Sequence, residues 1–213
     1  NKENLIKEGV QKNKIFTVGN TGIDSFLYAI KQKTTHEAKR IINYAEKINK
    51  RIIFLTAHRR ESVGNRFDTL FKKLSVFLKK NSSYLLVTST HPNNFASKYI
   101  RKYLTKLDNS LISKPLNYVS ACKIITAADF VITDSGGMQE ECATIGVPTV
   151  VCREVTERKE AEKIGIAKIS CSNNKNLTNI LQWAKNKKVK NWNKKPYGNG
   201  NSAIKITKIL LNN

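Results

Sequence analysis

The sequence predicts an α/β fold, a doubly wound parallel sheet of the Rossmann-like kind. Three observations predict it. Short apolar runs alternate with longer segments whose apolar residues recur at helical spacing. Several of the runs are apolar throughout, as expected of strands covered on both faces. The loops with the most chemistry, 57–65, 90–93, 134–137 and 153–159, each follow such a run, and ligands of doubly wound sheets bind beyond the strand carboxyl ends.

Leu5, Ile6 and Val10 mark a short amphipathic segment at the start. Residues 15–18 (IFTV) read as a strand and 19–21 as a turn, with a helix over 22–31. Thr35 caps a second helix over 36–48. Residues 51–56 (RIIFLT) are a strand, and 57–65 a polar loop. Phe67, Leu70, Leu74, Phe77 and Leu78 recur at helical spacing and define a helix over 66–80. A strand over 84–88 ends at a His91-Pro92-Asn93 turn, followed by a helix over 95–106 and a short strand at 111–112. Residues 118–128 are helical and 130–133 a strand. A turn at 134–137 leads to a helix over 138–145, for which Gly146 is the stop. Strands at 148–152 and 167–170 and helices at 176–185 and 202–211 complete the pattern, with no internal repeat. The Asn- and Lys-rich stretch 185–195 reads as a connector.

The length, 213 residues, suits one large domain or one and a half. A chain of this size buries roughly 70% of its unfolded surface and needs no covalent staples. Cys122, Cys142, Cys152 and Cys171 match no paired metal-ligand spacing and read as reduced core thiols of a cytoplasmic protein. No signal peptide is evident, and no apolar run approaches the ~18 residues of a membrane span. The chain starts at Asn1 and its only methionine is Met138, the expectation for a fragment of a longer reading frame. The net charge is +22, from 38 Lys+Arg against 16 Asp+Glu. That charge attracts polyanions. The lysines are nevertheless spread along the chain without interleaved aromatics, so no specific nucleic-acid binding is expected, and the charge also suits a nucleotide.

The stretch 131–146, VITDSGGMQEECATIG, carries the most information. A strand, a glycine pair and a helix start together present free backbone N–H groups and the positive end of a helix dipole. Ser135, Gly136 and Gly137 are placed to hold an anion, and Glu141, about one turn on, to accept hydrogen bonds from ribose hydroxyls. The pattern suggests a nucleotide diphosphate. The same residues also fit a plain turn with Ser135 as a helix cap.

His58-Arg59-Arg60-Glu61 follows a strand directly. The arginines suit phosphate, and His58 suits proton transfer near neutrality; taken alone, these residues fit a solvated Glu–Arg loop better. His91 is held by Pro92, either for function or structurally. Arg153 and Thr156-Glu157-Arg158 follow another strand, and Arg158 is within reach of the same anion, with Thr156 available as a helix cap. Tyr197-Gly198-Asn199-Gly200 allows close backbone approach or is a linker. His36, on a Lys-rich helix, has no assigned role.

Taken together these loops resemble the non-hydrolysing UDP-N-acetylglucosamine 2-epimerase family and its hydrolysing relatives. The matching stretches are ENLIKEGV (3–10), VGNTGID (18–24), TAHRRESVG (56–64), HPN (91–93), TDSGGMQEE (133–141), GVPTVVCREVTERKE (146–160) and PYGNG (196–200), nearly end to end.

The resemblance implies a glycosyltransferase-B-type architecture of two Rossmann-like domains with the active site between them. The chain then looks like the end of the first domain (1–30), the UDP-binding second domain (31–195) and a C-terminal helix (196–213) that packs back toward the first. By likeness Ser135, Gly136, Gly137, Glu141 and Arg158 bind substrate, and His58 is the catalytic histidine. Arg59 and His91 match a regulatory nucleotide-sugar site. The implied ligands are UDP and a UDP-N-acetylhexosamine. The implied partners are the N-terminal domain, in cis or trans, and a second copy in a homodimer. No metal or other cofactor and no membrane insertion is implied.

The family reaction eliminates UDP to a glycal, then re-adds UDP with C2 inverted or, in hydrolysing members, adds water and releases N-acetylmannosamine. The Arg59/His91 pair favours the non-hydrolysing class. The acidic catalytic residues of the family lie in the first domain, so this chain alone is expected to bind UDP with little or no turnover. Lys159 stands where proline is usual, Asn199 where an acid is usual and Ala121 where an aromatic residue is frequent. These departures bear on nucleotide affinity rather than on fold. A glycosyltransferase-B-type transferase is the competing enzyme reading, opposed by the HRRES and TERKE stretches. A basic nucleic-acid binder and a degenerate or split protein are the others.

Overall fold

The computed structural model describes residues 2–90, 95–170 and 176–212. The elements run α1 (Lys2–Lys7), α2 (Thr21–Lys31), α3 (His36–Lys47), β1 (Arg51–Thr56), α4 (Asn65–Lys80), β2 (Tyr84–Ser89), α5 (Ser97–Tyr103), β3 (Ser110–Ser113), α6 (Tyr118–Ala127), β4 (Ala128–Thr133), α7 (Gly136–Ile145), β5 (Thr149–Val151), α8 (Lys159–Lys163), β6 (Ala167–Ile169), α9 (Leu177–Asn186) and α10 (Ser202–Leu211). Single 3-10 turns lie at Lys12–Lys14 and Arg60–Ser62.

Among the described residues, six strands form one sheet in the order β3-β2-β1-β4-β5-β6, and every pairing is parallel. The order reverses direction between β1 and β4, so the topological switch point lies there. Successive residues of each strand face opposite layers. Ile53, Leu55, Leu86, Phe130 and Ile132 pack with α4, α5 and α9 in one layer. Ile52, Phe54, Leu85, Val87 and Val131 pack with α2, α3 and α6 in the other. This double coverage accounts for the continuous apolar run at 52–55, all of it buried. Cys122 and Cys142 are buried free thiols. Burial pushes the Cys122 thiol up to about 11 and raises Cys142 further.

The structure corrects the sequence reading in four places. Residues 15–18 are not a strand: Phe16 is 52% exposed, and the segment joins no ladder. An apolar β-branched run without a neighbour to accept its backbone hydrogen bonds stays extended but unpaired. Helix α7 begins at Gly136 instead of residue 138, which places the glycine pair inside its first turn. The helix that Thr156 was available to cap after β5 is five residues long, α8, and starts later, with Arg158 at its N-cap position. Helix α5 is shorter at both ends than the 95–106 expected.

Residues beyond α9 return across the sheet. Trp192 Nε1–H donates to the Ala143 carbonyl at 2.9 Å, and Lys195 Nζ donates to the Thr144 carbonyl at 2.7 Å. They satisfy the carbonyls left open at the end of α7. Farther on, Asp24 of α2 accepts the Ala203 N–H at 2.7 Å and caps α10 from outside its own segment. No helix among the described residues is long and apolar enough to cross a membrane.

Gly146 ends α7 with φ +79°, its N–H on the Cys142 carbonyl. A Cβ there would stand 2.5 Å from Trp192 Cγ. Gly146→Ala is therefore expected to lower unfolding free energy by about 2 kcal/mol or more, from the left-handed backbone and the clash together. Urea unfolding checks it; an unchanged midpoint would refute the assignment.

Candidate functional site

The carboxyl ends of β1 and β4 are clipped together at the switch point. Thr56 pairs with Thr133 in the ladder, and their hydroxyls lie 2.8 Å apart. Thr133 Oγ1 accepts the Ser135 N–H at 3.0 Å, and Thr56 Oγ1 reaches Met138 Sδ at 3.3 Å. Between them sits Asp134, whose carboxylate is fully buried. Its Oδ2 accepts the backbone N–H groups of both His58 and Arg59, each at 2.8 Å. His58 Nδ1 is 3.2 Å from Oδ1, while its side chain remains 56% exposed. One buried carboxylate thus holds the loop after β1 against the loop after β4.

Helix α7 points its N-terminus at this junction. Ser135 is its N-cap, with Oγ facing the Met138 N–H at 3.5 Å, a long contact. By position, the N–H groups of Gly136 and Gly137 have no intrahelical acceptor. Gly137 is exposed, and a Cβ built on it meets nothing within 4 Å. A Cβ on Gly136 would lie 3.2 Å from Arg158 Cζ, so the guanidinium rests directly over the start of the helix. The result is a set of outward N–H groups, a helix dipole and a cation at one place, which is what an anion requires.

Arg158 is fixed by carboxylates. Its Nε donates to Glu140 Oε1 at 2.7 Å, and its Nη1 pairs with Glu157. Glu140, side chain 9% exposed, also accepts from Asn20 Nδ2, in the crossover before α2. Asn20 N–H in turn donates to the Tyr197 carbonyl at 2.9 Å, and the Tyr197 hydroxyl and Arg158 carbonyl are 3.2 Å apart. The three segments 19–24, 136–158 and 197–203 therefore converge on the helix N-terminus. Arg153 pairs with Glu157 at 3.0 Å rather than with Glu140.

On the next turn of α7, Glu141 Oε1 accepts from the Tyr118 hydroxyl at 2.9 Å. Burial raises the Glu141 carboxyl above its ordinary range; the bond from Tyr118 opposes this and the neighbouring Glu140 carboxylate adds to it.

A model of the UDP-N-acetylglucosamine 2-epimerase family matches residues 1–211. The chain belongs to this family. A curated UDP-N-acetylglucosamine 2-epimerase from Campylobacter jejuni is 35% identical over 98% of this chain and 57% of its own length. The crystal structure of the Neisseria meningitidis UDP-GlcNAc 2-epimerase bound to UDP-GlcNAc superposes with a TM-score of 0.83 at 28% identity, over 100% of this chain and 59% of that one. The Methanocaldococcus jannaschii UDP-GlcNAc 2-epimerase in complex with UDP-GlcNAc and UDP gives 0.81 at 30% identity, over 100% and 59%. The chain thus spans under three fifths of the length of these relatives, and its sheet is one Rossmann-like unit of their glycosyltransferase-B-type architecture.

Most of the residues singled out in the sequence are brought together. His58 and Arg59 reach the Ser135-Gly136-Gly137 turn through Asp134, Arg158 covers Gly136, and Glu141 lies one turn behind. His91 lies outside the described residues. Thr156 does not cap α8. Its buried hydroxyl donates to Gln139 Oε1 at 2.7 Å and accepts the Arg158 N–H at 3.1 Å, which orients Arg158 toward α7. The sequence reading missed Asp134, Glu140, Asn20 and Tyr118. Asp134 and Glu140 stood inside the stretch it singled out, Asp134 as part of the turn and Glu140 with no assigned role. Among the described residues no three His, Cys, Asp or Glu side chains converge as a metal-binding group.

Two outcomes follow from these pairings. The folded chain holds a proton on Glu141 to higher pH than the unfolded chain, whose carboxyl titrates near 4.5. This group's contribution to stability is complete below that value and is lost as pH rises through the raised one. Glu141→Gln should therefore gain stability over the parent as pH climbs from about 4.5, and show no gain below it; urea midpoints that shift in parallel across pH would contradict this. Arg158→Ala leaves Glu140 buried with Asn20 alone and should cost roughly 2 kcal/mol, read by the same unfolding measurement.

Proposed function

We propose that the chain is the nucleotide-holding part of a UDP-N-acetylglucosamine 2-epimerase, interconverting UDP-GlcNAc and UDP-ManNAc by elimination and re-addition of UDP. The observation that carries this reading is the Arg158 guanidinium lying over Gly136 at the N-terminus of α7, at the switch point of the sheet. The diphosphate lies against the Gly136 and Gly137 N–H groups and the Ser135 hydroxyl, with Arg158 supplying positive charge. Glu141, oriented by Tyr118, takes the ribose hydroxyls. As the C1–O bond breaks, negative charge grows on the leaving UDP, and fixed N–H dipoles and a fixed cation stabilise it without reorganising. His58 stands at the same edge of the sheet as the catalytic histidine. Arg59 and His91 belong to a second, regulatory nucleotide-sugar site.

The activity is that of a protein carrying both halves of the cleft. Residues 1–30 belong to the end of the first domain, 31–195 hold UDP, and 196–213 fold back. Leu5, Ile6 and Phe16 near one end and Ile204, Leu210 and Leu211 near the other are exposed, as expected of surface covered by a first domain. The full protein is a homodimer in the cytoplasm.

Calorimetric titration of UDP into this chain tests the reading. Binding is expected, with Glu141→Ala weakening it roughly tenfold or more, the loss of hydrogen bonds to a charged acceptor. Gly137→Ala should leave unfolding stability unchanged or raised by up to about 1 kcal/mol, since its Cβ meets no atom. The same Cβ occupies the space of the diphosphate and should weaken UDP binding. A folded chain that ignores UDP, or binds it equally well in both variants, would refute the site.

A further inference from the structure

The geometry points to Asp134 as a positioning residue that fixes the tautomer of His58, holding Nδ1 protonated so that Nε2 is the ring nitrogen able to take or hand over a proton. The inference rests on the reading of His58 as the working histidine and deepens it.

Asp134 is 0% exposed and lies in the turn between β4 and α7, next to the anion site rather than in it. A buried carboxylate requires donors on both oxygens. Oδ2 has two, the His58 and Arg59 backbone N–H groups at 2.8 Å each. Oδ1 is buried and accepts no hydrogen bond of good geometry among the described residues. The imidazole of His58 stands 3.2 Å away through Nδ1. Among the described residues, only a protonated Nδ1 gives Oδ1 a donor; an unprotonated Nδ1 would set a lone pair against a buried anion. A slight rotation of the half-exposed ring turns the contact into a hydrogen bond.

The two backbone bonds make this orientation robust. They fix the carboxylate plane and the His58 backbone together, so the ring meets Oδ1 whenever it folds back. A carboxylate that orients an imidazole through one nitrogen sets the proton state of the other, as in metal-ligand and triad histidines. If Asp134 served only to tie two loops, its Oδ2 would suffice, and the tautomer of His58 would follow free imidazole, which favours Nε2–H.

Asp134→Asn separates the roles. The amide must turn its oxygen toward the two backbone N–H groups, because its NH2 cannot face two donors. Nδ2 then points at His58 Nδ1 as a donor and demands the opposite tautomer. The experiment is a nitrogen-15 long-range correlation spectrum of the 213-residue chain, at a pH where imidazole is neutral. The His58 signals are identified among the three histidines by their absence in His58→Gln.

The expected result is Nδ1–H in the parent and Nε2–H in Asp134→Asn. A parent spectrum dominated by Nε2–H overturns the inference, and that measurement needs no variant to fold. A folded Asp134→Asn that keeps the parent tautomer overturns it as well. Failure of the parent chain to bind UDP would instead count against the nucleotide reading and leave the tautomer result standing.

Discussion

The parallel pairing of β1 with β4, locked at its carboxyl end by the buried Asp134 carboxylate, is the constraint on which the rest of the arrangement depends. It brings side by side two loops that are far apart in sequence, since Asp134 lies 76 residues from His58. The pairing also creates the switch point, the one place where crossovers leave a doubly wound sheet in opposite directions and open a crevice. Helix α7 starts there because β4 ends there, and its unsatisfied N–H groups therefore point into the crevice. A carboxylate at this position could have repelled an anion. Both its oxygens are instead turned inward, toward the loop after β1.

A second set of contacts, built around Glu140, holds the cation in place. Arg158 is long and flexible, and ordering such a side chain is entropically costly. Glu140 holds Nε, Glu157 holds Nη1, and Thr156 orients the backbone. The same Glu140 carboxylate engages Asn20, which is itself bonded to the chain at Tyr197. The guanidinium over the start of α7 is therefore linked through one carboxylate to both segments that lead away from the sheet.

The large positive charge comes from lysines and arginines spread along the sequence. Exposed Lys–Asp and Arg–Asp pairs such as Lys102–Asp68 and Arg51–Asp129 are spread over different faces. Surface pairs of this kind are worth little individually. The general excess raises the local concentration of any polyanion, including a doubly charged nucleotide.

By itself, the sequence determined most of the element types and which loops follow the strand carboxyl ends. These rest on local signals: helical spacing over 66–80, apolar runs at 51–56 and 84–88, Ser135 before a helix and Gly146 after it. Each acts over a few residues, so the primary structure carries it directly. The tertiary structure decided what those signals leave open. Residues 15–18 have strand character but find no neighbour, and a strand is stable only in a ladder. The choice of β4 as partner for β1 is made by the packing of two helical layers, which no short window contains. Asp134 and Glu140 look like turn and surface acids in sequence, and only burial against remote donors gives them their roles. A buried charge is stable solely through such partners, and these lie 18 to 120 residues away.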